Sequence, residues 1–184
     1  RYWHPVLAQN GEKINHLFAQ YINRLIPYIN ELLNEFELPD EIKFLYLAGF
    51  NGPSLADDLE NELKNQLVPT VTGCGPHRSD IQIAWNEHGF AKTSSRGQQK
   101  VLAMALKLAQ ARLLSDSLDK PCVYLIDELP AELDEKHCSN ALSIIRGLNS
   151  QAFITSVSTD RILSFTQPTS KMFHVERGNV LEMV

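Results

Sequence analysis

The chain has 184 residues, 43% of them apolar and 21% charged, with 17 Lys+Arg against 22 Asp+Glu. This composition excludes intrinsic disorder, a collagen-like fibre and a small disulfide scaffold, and leaves ample length for a hydrophobic core. The formal charge of -5 argues against a general polyanion binder, although a local basic face stays open. No apolar run approaches the ~18 residues of a membrane-spanning helix, and no secretory signal opens the sequence. Cys74, Cys122 and Cys138 are scattered, with no C-x-x-C and no histidines at zinc spacing. Free thiols in a reducing cytoplasm are the simple expectation. The first residue is Arg1 rather than Met, so a segment of a longer chain is expected.

From Glu12 to Phe36 the apolar residues Ile14, Phe18, Tyr21, Leu25, Tyr28 and Leu32 recur in steps of four and three. That spacing predicts one long helix with a coiled-coil-like seam. A second stripe, Leu17, Ile22, Ile26, Ile29, Leu33 and Phe36, widens the apolar face. The helix either packs on its own core or forms half of a helical hairpin. Pro27 should kink it or mark a joint. Ile42–Ala48 reads as a strand and Asn51-Gly52-Pro53 as a break. Ser54 then caps a helix to about Gln66. Val68–Thr72 and Ile81–Trp85 read as strands, joined by the polar stretch Gly73 to Asp80. Gln98–Leu114 is an amphipathic helix, followed by an apolar strand (Cys122–Ile126), a polar helix (Glu135–Leu148) and a second apolar strand (Ala152–Ser156). Two short, nearly all-apolar strands joined by a helix predict a buried parallel sheet of an α/β fold. Met172–Glu176 and Val180–Met183 should close a hairpin over Gly178-Asn179.

Three segments carry chemistry. Val123-Tyr124-Leu125-Ile126-Asp127-Glu128 delivers two carboxylates at the carboxyl end of a parallel strand, where open α/β sheets bind ligands. A solvated strand end would look the same. Ser94-Ser95-Arg96-Gly97-Gln98-Gln99-Lys100 places a hydroxyl and a glycine beside the unpaired N–H groups of a helix start, an arrangement suited to anions. A plain serine cap is the alternative. Leu129-Pro130-Ala131-Glu132-Leu133-Asp134 follows the acidic pair, with Asp134 able to cap the next helix.

The order of these pieces resembles the ABC-type ATPase head, and within it the RecF family of bacterial recombination mediators. SSRGQQK, the Leu/Ala-rich helix, YLIDELPAELD, GPHRSD and SKMFHVERG carry the resemblance, which spans about Val68 to Val184. Residues 1–66 resemble the family's helical arm more loosely, and 67–184 the carboxyl-terminal part of the head. The resemblance implies that Ser95, Arg96, Gly97 and Gln98 form the signature loop, reaching ATP held by an opposite subunit. It makes Asp127 the Mg²⁺-holding aspartate, through water, and Glu128 the general base. Ala131 to Asp134 becomes the D-loop, with Asp134 among the nucleotide-binding residues. Ser156 or Thr155 takes the switch position, usually histidine in ABC proteins, and would sense the γ-phosphate by a hydrogen bond. Ser94 stands where the family usually has leucine. His77 and Arg78 lie on a turn that either faces DNA or a subunit interface, or is merely a basic surface turn. No G-x-x-x-x-G-K-[ST] motif occurs in the sequence, so the phosphate cradle is missing and this segment alone is expected to be inactive.

The implied whole is an ATP-dependent DNA-binding subunit. It would dimerise on ATP, act at gaps in double-stranded DNA and work with RecR and RecO. Two alternatives stay open: a non-enzymatic interaction module, and another ABC-head DNA-repair protein of the SMC or Rad50 type.

Overall fold

The computed structural model describes residues 3–65, 72–129, 133–148, 150–158, 163, 166 and 169–183. They fall into two compact units, Arg1–Cys122 and Val123–Val184. Residues 68–71 of the strand expected at Val68–Thr72, the arm–head boundary expected between residues 66 and 67, and most of the D-loop (residues 130–132) lie outside the described residues.

The first unit begins with helix α1 (His4–Glu35), which starts two turns earlier than its apolar pattern predicts. Pro5 sits in the first turn, where a missing N–H goes unused. Gly11 is what hides this extension, because a mid-helix glycine reads as a weak point, costing roughly 0.5–1 kcal/mol against alanine. Its reason is tertiary: a Cβ there would collide with the Leu55 side chain and press on Pro76. Pro27 lies inside α1 without ending it, so it marks no joint. The helix is held on both sides of the proline by packing, with Leu25, Ile29, Leu32 and Leu33 buried.

That carboxyl-terminal half of α1 packs on α4 (Arg96–Leu118), whose Val101, Leu102, Ala105, Leu108, Ala109 and Leu113 are buried. Polar links fix the antiparallel register. Arg24 Nη2 donates to Ser117 Oγ (2.9 Å), Tyr28 Oη donates to Asp116 Oδ2 (2.9 Å), and Arg112 Nη1 lies 3.2 Å from Glu31. The bond to Asp116, chiefly, raises the Tyr28 phenol above its ordinary pKa. In the amino-terminal half of α1, Ile14, Leu17, Phe18 and Tyr21 of the predicted stripes are exposed.

A three-stranded antiparallel sheet, β1 (Ile42–Leu47), β2 (Asp80–Trp85) and β3 (His88–Gly89), stands beside these helices in the chain, with Ile42 opposite Trp85 and Leu47 opposite Asp80. β3 went unpredicted. Asn86 and Glu87 both adopt positive φ (50° and 65°) between Trp85 and its partner His88, the two-residue turn that suits strand twist. A short helix α3 (Phe90–Thr93) then leads to α4, and α2 (Leu55–Lys64) is capped by Ser54 as expected, its hydroxyl accepting from the Asp57 N–H at 3.1 Å. Ala8, Leu55, Leu59 and Cys74 form a small separate core, and burial there pushes the Cys74 thiol up to about 11.

In the second unit β4 (Val123–Ile126) pairs in parallel with β5 (Gln151–Ile154), Val123 opposite Gln151 and Ile126 opposite Ile154. The crossover is helix α5 (Glu135–Gly147), which buries Cys138, Ala141, Leu142, Ile144 and Ile145. The expected burial holds for one face only. Tyr124 is 8% exposed, but Leu125 is 79% exposed and Val123 and Phe153 are also open. Apolar strands of this kind suit cover on both faces, and within these residues the second face has none. The closing hairpin, β6 (Met172–Glu176) and β7 (Asn179–Met183), turns on Arg177-Gly178 rather than Gly178-Asn179, since Asn179 pairs with Glu176.

Candidate functional site

Two places carry the predicted site residues, one in each unit. In the first unit, Ser95 ends an extended approach and caps α4. Its Oγ accepts from the Gln98 N–H at 3.2 Å, and Gln98 Oε1 accepts from the Ser95 N–H at 2.8 Å. This capping box satisfies two backbone donors reciprocally. The N–H groups of Arg96 and Gly97 come next, in the first turn, where no intrahelical carbonyl reaches them. Ser95, Arg96 and Gly97 are exposed. A Cβ on Gly97 would meet nothing closer than Ser95 Oγ at 3.8 Å, so the chain's own packing does not require glycine there. Ser94 turns inward instead, donating to the Phe90 carbonyl at 2.6 Å.

The turn with His77 and Arg78 is built in the same unit. Gly49 has φ +80°, and a side chain on it would run into the Gly75 carbonyl and the Arg78–Ser79 backbone. The Gly75 N–H donates to the Gly49 carbonyl at 2.9 Å, which locks the turn against the end of β1. His77 Nε2 lies 3.0 Å from the Thr72 carbonyl, so its ring is engaged locally. The described residues hold no group of three or more His, Cys, Asp or Glu able to bind a metal ion.

In the second unit, Asp127 and Glu128 leave the carboxyl end of β4 as predicted. The chain reverses at once: Glu128 has φ 50°, a left-handed conformation costing roughly 1–2 kcal/mol for a residue with a Cβ. Leu129, 1% exposed, anchors the turn, and the Cys138 thiol approaches its carbonyl at 3.5 Å. The end of β5 meets this turn. The Thr155 N–H donates to the Ile126 carbonyl (3.0 Å), extending the parallel ladder by one bond. Thr155 Oγ1 donates to Asp127 Oδ1 (2.5 Å) and accepts from the Glu128 N–H (3.0 Å). Ser156 is turned elsewhere: its hydroxyl donates to the Ser158 carbonyl (3.0 Å) and accepts from the Ser158 N–H (3.1 Å). Among the described residues no basic side chain is paired with Asp127 or Glu128.

Asp134 caps α5, its Oδ1 accepting from the His137 N–H at 2.9 Å while Oδ2 lies 2.7 Å from His137 Nδ1. These two contacts hold its carboxyl below the usual aspartate range. The resemblance offers Ser156 or Thr155 for the switch position and says nothing of the contact between Thr155 and the acidic pair. The signal was present: a hydroxyl that directly follows a strand in register with Ile126 must stand beside residue 127.

Residues 28–180 match the family model described as the RecF/RecN/SMC N terminal domain. The chain belongs to this family. Curated relatives named DNA replication and repair protein RecF include that of Cellvibrio japonicus, 35% identical over 183 residues, and that of Shewanella sediminis, 34% identical over 182. These alignments cover 97% and 98% of the chain but 50% and 51% of the relatives. The chain therefore spans about half the length of the curated relatives it matches. Among solved structures, the recombination mediator protein RecF-ATP of the RecFOR pathway superposes with a TM-score of 0.75 at 23% identity, covering 100% of this chain and 50% of that one. A RecF-ATPrS structure gives 0.74, covering 97% and 48%. The expected α/β head fold, present as about half of the relatives' fold, is thus met, with β4 and β5 as its parallel strands.

Proposed function

We propose that this chain is the carboxyl-terminal half of a RecF-type DNA-repair ATPase, and that Asp127 and Glu128 are its reaction centre. The observation that supports this best is the acidic pair itself. Two carboxylates unpaired with bases among the described residues leave a parallel strand at its carboxyl end, in a chain of the RecF/RecN/SMC family. Asp127 fits a hydrated Mg²⁺, because its one described side-chain partner is the neutral Thr155 hydroxyl, which leaves the negative charge available. Mg²⁺ bound there would offset charge on the phosphates of ATP. Glu128 would take a proton from the water that attacks the γ-phosphate.

The exposed start of α4 is the second element. Ser95, Arg96 and Gly97 would meet ATP held by an opposite subunit, using N–H groups that the capping box leaves unused. Gln98 serves there by holding the cap, and Asp134 by fixing the start of α5. ATP would thereby join two heads into a dimer that holds double-stranded DNA at gaps, with RecR and RecO as partners. Two relatives named RecF carry replication and repair in that name, and the RecF-ATP structure carries ATP, mediator and RecFOR.

The test is Glu128→Gln in the full-length protein. Its shape is kept and its base lost, so ATP should still bind and a dimer should persist. Hydrolysis should fall by ~10²–10⁴. Phosphate release measured beside light scattering separates the two. Normal turnover with a monomer throughout would remove Glu128 from the mechanism.

A further inference from the structure

We infer that Thr155 is a positioning residue for the acidic pair: its hydroxyl holds the Asp127 carboxylate and the left-handed backbone of Glu128, rather than reading a phosphate. The inference rests on the ATPase reading above. A threonine hydroxyl has one proton to donate and two lone pairs. The proton goes to Asp127 Oδ1 and a lone pair takes the Glu128 N–H. The only donor is therefore committed to a carboxylate, and a bond to a γ-phosphate would require releasing it. The backbone enforces this. The Thr155 N–H is tied to the Ile126 carbonyl, and a β-branched side chain has few rotamers left once its backbone is set. Ser156, the alternative hydroxyl, is bonded on both sides to Ser158.

The arrangement acts on both carboxylates at once. Binding Oδ1 fixes the Asp127 plane and so sets how the carboxylate would meet a hydrated cation. Binding the Glu128 N–H stabilises a backbone conformation that glutamate otherwise disfavours, and so sets where its side chain starts. The contacts bridge positions 28 residues apart in sequence, from the ends of two parallel strands. A shift of β5 against β4 would disturb both carboxylates together. Thr155 is itself exposed, so losing its hydroxyl removes hydrogen bonds with little loss of packing.

The experiment compares Thr155→Val, Thr155→Ser and Asp127→Ala in the full-length protein. Binding of a non-hydrolysable ATP analogue is measured with and without Mg²⁺, alongside kcat. Thr155→Val should weaken the Mg²⁺-dependent part of binding by about 10–100-fold, the usual cost of losing a group that orients a ligand carboxylate. Metal-free binding should stay as it was, kcat should fall, and Thr155→Ser should recover both. In an Asp127→Ala background, Thr155→Val should leave Mg²⁺ dependence where Asp127→Ala put it. A Thr155→Val protein with wild-type Mg²⁺ dependence, beside an Asp127→Ala protein that has lost it, overturns the positioning role alone. So does loss of metal-free binding in Thr155→Val, which would put the hydroxyl on the phosphate. Failure of Thr155→Ser to recover would show packing rather than hydrogen bonding, and also overturns it. If Asp127→Ala keeps normal Mg²⁺ dependence, the underlying ATPase reading of the pair falls first.

Discussion

The start of α4 and the end of β4 are both chain reversals that expose polar groups, but they are held together in opposite ways. At α4 the stabilising partners, Ser95 and Gln98, sit three residues apart and bond each other. At β4 the partner of Asp127 and Glu128 is Thr155, brought from another strand. The first reversal uses ordinary backbone conformations; the second places Glu128 at a left-handed φ. A local cap forms wherever its sequence forms a helix. A non-local clasp exists only when the sheet is assembled, so the acidic pair reports on the register of two strands while the cap reports only on its own helix.

The widest separation between the two places is expected from Ser95→Arg in the full-length protein. The bulk should obstruct the approach of a second subunit and abolish ATP-dependent dimerisation. ATP binding to a single subunit should survive, because the proposed Mg²⁺ and water-activating groups lie at β4. Sizing with ATP and nucleotide titration on the same sample check this. Loss of nucleotide binding itself would place Ser95 on its own subunit's ATP, and an unchanged dimer would reduce the loop to a capped helix start.

A smaller effect isolates the strain at β4. Glu128→Gly in this chain should raise folding stability by about 1 kcal/mol, since glycine adopts positive φ without the Cβ penalty. Part of the gain is offset by greater freedom in the unfolded chain. Urea unfolding of the two proteins gives the difference. A stability unchanged or lowered would show that the entropy cost of glycine in the unfolded chain cancels the strain it relieves.

The smallest expected effect is on acid stability, through Asp134. Its carboxyl is depressed in the folded state by the His137 N–H and ring, so its contribution is full above the ordinary aspartate value of ~3.9. That contribution is lost as pH falls through the lower folded value. The side chain is 65% exposed and solvent-screened, so the effect is modest. Asp134→Asn keeps a capping oxygen but not the charge. Its stability deficit against the parent, measured by urea unfolding, should shrink as pH is lowered below about 4. A deficit independent of pH would mean the cap acts without its charge.

What could be read in the sequence follows the range of the forces involved. Local periodicity located α1, α4 and α5, and β1, β2, β4 and β5 to within a few residues, except where α1 runs past Gly11 to His4. The serine cap of α4 and the aspartate cap of α5 are likewise written in three or four consecutive residues. The acidic pair was legible as a strand ending in two carboxylates. Contacts between distant segments decided the rest. Gly11 is glycine because Leu55 and Pro76 come close to it, and Pro27 stays within a helix supported by its packing on α4. The turn of the last hairpin shifted by one residue because its cross-strand pairs set the register. The resemblance left the switch position open between Ser156 and Thr155, and the contact of Thr155 with Asp127 was not legible, because it exists only once parallel pairing of β4 with β5 brings the two strand ends side by side. Hydrogen-bond partners three residues apart are specified by chain geometry, whereas partners 28 residues apart are specified by the packing that closes the sheet.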